Sequence, residues 1–262
     1  MNNSEEVKAV FGQVLWWTEI AAEALLLARA IGAKFYTKYT SFYFYVSCVL
    51  LVDLFRLAVF TALPNSYPLF YWRTQFLAAT VGYAVMLEMY AQALRKCRGA
   101  VRVANALLLC ILAAVMLKVI AGAVGGSGWS TGETMATLER DMRALQAALL
   151  LVIIALLAYY KIPTGRNLMG IIVGYSCYVG VSVVTLGFGS LPGFGPRPGW
   201  RFVQPIAYLA TLSIWCFTLW SYHPNPEPDP GSKIERDYKL LSDQTKRILS
   251  KARSYLKMGG EL

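Results

Sequence analysis

Five charged residues stand inside apolar sequence: Glu19 and Glu23 in one stretch, Asp53 and Arg56 in the next, and Glu88 in a third. The i, i+4 spacing puts Glu19 and Glu23 on one face of a helix, and the i, i+3 spacing lets Asp53 and Arg56 pair within a helix while reaching a neighbour. In hydrocarbon each such group costs about 2.5–3.5 kcal/mol at mid-depth, so each must turn toward protein or water and find a partner. Two chemistries are open. Arg56 bridging Asp53 and Glu19 or Glu23 would be a polar staple that fixes how two helices pack and does nothing else. Alternatively, the surplus of carboxylates over cations leaves some of them to hold a proton, a cation or an amine ligand. Glu88 lies about two turns from the end of its stretch and can reach the interface.

A second polar group, Tyr71, Arg73, Gln75, Tyr83, Arg201, Gln204 and Tyr208, is placed by the sequence toward the outer side, where it can line a water-filled cup. Ordinary interhelical hydrogen bonds are the alternative. Arg73 and Lys118 can also snorkel to the surface as anchors.

Enzyme chemistry is poorly supplied. His223 is the single histidine, which removes multi-histidine metal hydrolases and bis-histidine haem, and the five cysteines are scattered over separate stretches. A serine–histidine dyad has no partner residue at the right depth. The run Gly125 to Gly128 lacks the Lys-Ser/Thr ending of a phosphate loop. The expectation is a non-enzymatic protein with no catalytic residues, no metal and no cofactor. No cysteine lies in an expected outer loop, so no extracellular disulfide is expected.

The elements that must position the buried charges follow from composition. Of 262 residues 56% are hydrophobic and only 15% charged, with a mean hydropathy of +0.46, values that water would not hold in a monomer. Apolar stretches at about 10–32, 40–63, 68–95, 101–124, 133–161, 167–188 and 200–221 each approach the roughly 20 residues that a bilayer core requires. Gly and Pro punctuation falls between them, at Gly32, Pro64-Asn65, Gly99, Gly125 to Gly128, Pro163 to Gly165 and Pro192 to Gly199. The runs are continuous rather than alternating, which excludes a barrel. The resulting expectation is an all-α membrane protein, a seven-transmembrane-helix bundle. Its first helix is retained, since no basic n-region precedes it.

Lys34, Lys38, Arg95, Lys96, Arg98, Arg102, Lys161 and Arg166 gather in alternate links and the tail is basic, which places the N-terminus outside and the C-terminus in the cytoplasm. The net charge of +10 is that bias plus the tail, so no nucleic-acid partner is expected. Trp72-Arg73-Thr74-Gln75 and Trp200-Arg201-Phe202-Val203-Gln204 open two helices in a similar way. A 3+1+3 parallel repeat follows if the likeness is more than interfacial Trp and Arg preference. Gly170, Gly174, Ser176, Gly180 and Ser182 offer a small-residue face for close packing against a neighbouring helix or a second copy, so an oligomer is compatible with the sequence.

Two parts result: a transmembrane domain over 1–222 and a tail over 223–262, in which a proline-rich spacer precedes a basic amphipathic helix at about 232–257. That helix suits the anionic leaflet of the bilayer or a cytoplasmic protein partner.

The pattern Tyr71-Trp72-Arg73-Thr74-Gln75, Gly82-Tyr83, Glu88-Met89-Tyr90 and Ala93-Leu94-Arg95 resembles one found in uncharacterised bacterial heptahelical integral membrane proteins. The resemblance covers the third stretch and the basic link after it. It implies a multi-pass protein of a bacterial inner membrane and carries no activity with it. Two functions remain open: a receptor-like or scaffolding protein with a polar site between helices, or a small-solute or proton-coupled transporter built from two three-helix repeats.

Overall fold

The computed structural model describes residues 3–95, 132–189 and 202–226, with single helical positions between 101 and 117 and between 236 and 247. Six long helices run through the described residues: α1 Asn3–Gly32, α2 Thr40–Ala62, α3 Tyr67–Ala93, α4 Gly132–Tyr160, α5 Arg166–Gly189 and α6 Val203–Thr218. Their ends follow local chemistry. Pro64 opens the 3-10 turn Pro64–Ser66 between α2 and α3, where its fixed φ fits and its missing N–H is not needed. Lys161 closes α4 at φ 49°, and the Ile162 amide donates back to the Leu157 carbonyl at 3.1 Å, a left-handed cap that glycine more often supplies.

The helices close a ring in which α1 packs on α2 and α6, and α2–α3, α3–α4, α4–α5 and α5–α6 pack in turn, with α3 also touching α5. Side-chain bonds fix the directions. Gln75 near the start of α3 meets Glu139 near the start of α4, while Asn167 at the start of α5 meets Thr218 at the end of α6. Inside the ring Trp215 is fully buried, edge-on to Phe42 at 4.9 Å and to Tyr45 at 6.5 Å, an aromatic arrangement that adds about 0.5–1.5 kcal/mol per pair to burial. The small-residue face of α5 finds its neighbour in α6. A side chain at Gly174 would strike the Trp215 indole and one at Gly170 would strike Thr218, whereas Gly180 has open space. Leu51, Phe55, Leu151, Val173 and Phe217 point out of the ring and stay exposed, the inverse of a water-soluble surface.

The seven-span expectation is overturned. Among the described residues three helices are long and apolar enough to cross a membrane, Thr40–Ala62, Glu139–Tyr160 and Arg166–Phe188. The reasons are physical. α6 is apolar but has only 16 residues, a rise of about 24 Å against a core of about 30 Å. α1 carries Glu19, Glu23 and Arg29, and α3 carries Arg73, Thr74, Gln75, Glu88 and Gln92. The stretch at 101–124 lies mostly outside the described residues. The N-outside, C-cytoplasmic orientation and the 3+1+3 parallel repeat both counted seven crossings and fall with them. The repeat also fails in detail, because α3 has 27 residues against 16 in α6, and Gln75 bonds Arg56 and Glu139 where Gln204 bonds Ser182.

Of the tail, Arg236, Asp237, Lys239, Leu240, 242–245 and Arg247 are helical, and the remainder of 232–257 lies outside the described residues.

Candidate functional site

The face that α1 turns toward α2 and α6 presents Glu19, which is 9% exposed, and Glu23, which is fully buried. Tyr208 of α6 donates its hydroxyl to Glu23 Oε1 at 2.6 Å. Glu19 Oε1 and Glu23 Oε2 have no hydrogen-bond partner among the described residues. Asp53, buried on α2, lies within electrostatic range of both and pairs with Arg56 at 3.4 Å.

Arg56 does not bridge to α1. Its Nε donates to Thr74 Oγ1 at 2.8 Å, and its Nη2 to Gln75 Oε1 at 2.9 Å and to the Tyr71 carbonyl at 3.2 Å, with the guanidinium 4.6 Å from the Tyr71 ring centre. The staple therefore joins α2 to α3. The interior of α3 begins with Thr74 and Gln75 because Arg73, one position earlier, faces outward and is exposed.

The polar path continues through residues that sequence reasoning missed. Gln75 Nε2 donates to Glu139 Oε1 at 2.9 Å. Glu139 lies 3.6 Å from Arg143 Nε, an ion-pair separation too long for a hydrogen bond. Arg143, fully buried, donates to Gln146 Oε1 and to the Tyr178 hydroxyl, each at 3.3 Å, and Gln146 donates to the Ala79 carbonyl at 2.8 Å. Tyr178 and Tyr208 then meet as tilted rings with centres 5.2 Å apart and planes at 58°, which returns the path to Glu23. A signal for the missed residues does exist: Glu139, Arg143 and Gln146 are spaced i, i+4, i+7 and share the face of Met142, Leu150 and Ile153.

The remaining expected residues fall elsewhere. Glu88 leaves the path and accepts the Phe42 amide at 2.9 Å, with the Ser41 and Thr40 amides also pointing to it, so it caps α2, which has no side-chain cap of its own. Tyr83 donates to the Met142 carbonyl at 3.2 Å and Gln204 to Ser182 Oγ at 3.3 Å, both ordinary helix-to-helix bonds. Arg201 lies outside the described residues. The structure thus brings Glu19, Glu23, Asp53, Arg56, Tyr71, Gln75 and Tyr208 into one seam and does not bring Glu88 or Arg73 to it.

At the opposite end of the ring a second polar cluster closes on backbone. Asn167 Nδ2 donates to the Thr218 and Ser221 carbonyls at 3.0 and 2.8 Å, and its Oδ1 accepts the His223 amide at 2.6 Å. The Gly165 amide donates to Asn225 Oδ1 at 2.9 Å, and Arg29 reaches the Trp220 carbonyl at 3.0 Å. In the link before α2, burial pushes the Tyr39 phenol up to about 12, with Tyr222 and Glu88 adding to the shift, so it stays neutral.

Among the described residues Cys48, Cys110, Cys177 and Cys216 are free thiols, and no group of three His, Cys, Asp or Glu side chains is arranged to hold a metal ion. Fold and seam together describe a largely α-helical protein whose long apolar helices are consistent with membrane association. No family model, curated protein or solved structure matches the chain.

Proposed function

We propose that this chain is a non-enzymatic, receptor-like or scaffolding membrane protein that takes a small ligand at a polar site between helices. The observation that carries this reading is the uneven wiring of the seam. Side-chain bonds tie α2 to α3, α3 to α4 and α4 to α5 through Arg56, Gln75 and Arg143. By contrast, among the described residues α1 meets the seam through one side-chain bond, Tyr208 to Glu23. Occupancy at Glu19 and Glu23 therefore biases α1 against a braced remainder, which is the physical requirement for a signalling element.

The second reading, a small-solute or proton-coupled transporter, draws on the same surplus carboxylates. Reconstitution separates the two. In vesicles carrying a proton or amine gradient, the receptor reading expects no flux above protein-free vesicles. Flux that disappears in folded Glu19→Gln and Asp53→Asn variants would replace it with the transporter. A bacterial inner membrane as host, kinship with the bacterial proteins that share the Trp72-Arg73-Thr74-Gln75 pattern, and docking of 232–257 on anionic lipid or a cytoplasmic partner belong to the same proposal.

A further inference from the structure

The seam holds four buried acids, Glu19, Glu23, Asp53 and Glu139, and two guanidiniums, those of Arg56 and Arg143. Asp53 with Arg56 and Glu139 with Arg143 account for both guanidiniums, and each is otherwise spent on α3, α4 or α5. Two carboxyls one helical turn apart remain, nine-tenths or more buried, each with an oxygen to which no described group donates a hydrogen bond. The titratable and charged groups facing them are Asp53, Arg56 and Tyr45 from α2 and Tyr208 from α6, and of these only Tyr208 makes a hydrogen bond to the pair. Two uncompensated charges at this depth are untenable beside an acid neighbour.

We propose that Glu19 and Glu23 form a proton-binding pair, with one exchangeable proton held at the unpartnered oxygens, Glu19 Oε1 and Glu23 Oε2. This deepens the reading above by naming the ligand of that site. A proton suits the geometry because it needs only oxygen lone pairs, whereas a metal ion needs three or more converging ligands, and among the described residues no three His, Cys, Asp or Glu side chains converge in that way. Tyr208 selects which oxygens remain free. Its hydroxyl occupies Glu23 Oε1, so the other oxygen of that carboxyl is left for the exchangeable proton. The pair titrates as a unit rather than as two separate acids. Loss of the proton puts a second negative charge beside Asp53 and separates α1 from α2 and α6.

The test compares melting temperatures of the purified full-length protein and its Glu19→Gln/Glu23→Gln variant from mildly acidic to alkaline pH, at constant ionic strength in sodium or in choline. The wild type is expected to lose roughly 3 °C per pH unit relative to the variant while the native pair still holds a proton that the unfolded chain has released, and to run parallel to it once that proton has left. Surface lysines and tyrosines titrate in both proteins and cancel. Curves that run parallel over the whole range overturn the proposal. So does a stabilisation of the wild type alone by sodium, which would make the pair an alkali-ion site. If the double variant does not fold, Glu19→Gln alone serves, with the same two outcomes. Parallel melting curves would leave the flux experiment and the receptor reading untouched, so the two failures are distinguishable.

Discussion

Asn167 and Glu23 are both buried polar side chains, yet the molecule treats them oppositely. Asn167 spends both kinds of hydrogen-bonding atom on backbone groups of one neighbouring segment, and every partner is fixed in place. Glu23 has one oxygen bonded to Tyr208 and the other left open. The first end of the ring closes on backbone carbonyls and amides, as a structural joint should. The other end keeps charge in surplus, a condition that folds retain where a ligand completes the site.

Arg143→Met should produce the largest loss, about 3–5 kcal/mol in stability measured by denaturation in detergent, because it strands the Glu139 carboxylate. Adding Glu139→Gln should return at least half of that loss, and a double variant as unstable as the single would break the ion-pair account. Asn167→Ala should cost about 2 kcal/mol, since two carbonyls and one amide lose their partner. Glu88→Ala should cost about 1 kcal/mol through the uncapped start of α2, with Glu88→Gln costing less because an acceptor remains. Near neutral pH Glu19→Gln should change stability by no more than about 0.5 kcal/mol, since the amide keeps the shape and removes the charge surplus. A Glu19→Gln loss equal to that of Asn167→Ala would erase the contrast between the two ends.

The helix positions were legible because Gly32, Pro64 and Pro163 to Gly165 break continuous apolar runs, and the described helices end beside them. Span number was not. Counting apolar stretches treats α3 like α2, although Arg73, Thr74 and Gln75 at the start of α3 are committed to the outer surface and to the seam. Glu19, Glu23 and Asp53 stood out because apolar neighbours surround them. Glu139 and Arg143 did not, since near a helix start a charged residue reads equally as an interfacial anchor. The partner of Arg56 was beyond sequence for another reason: α1 and α3 both flank α2, and only the geometry of the ring decides which of them its guanidinium meets.

His223 and Asn225 fasten the chain leaving α6 to the first turn of α5 and the residue before it. Tension on the segment downstream would therefore be carried by the α4–α5 turn before it could unwind α6. The tail is moored to a neighbouring hairpin, and a load arriving along it enters the bundle two helices away from Glu19.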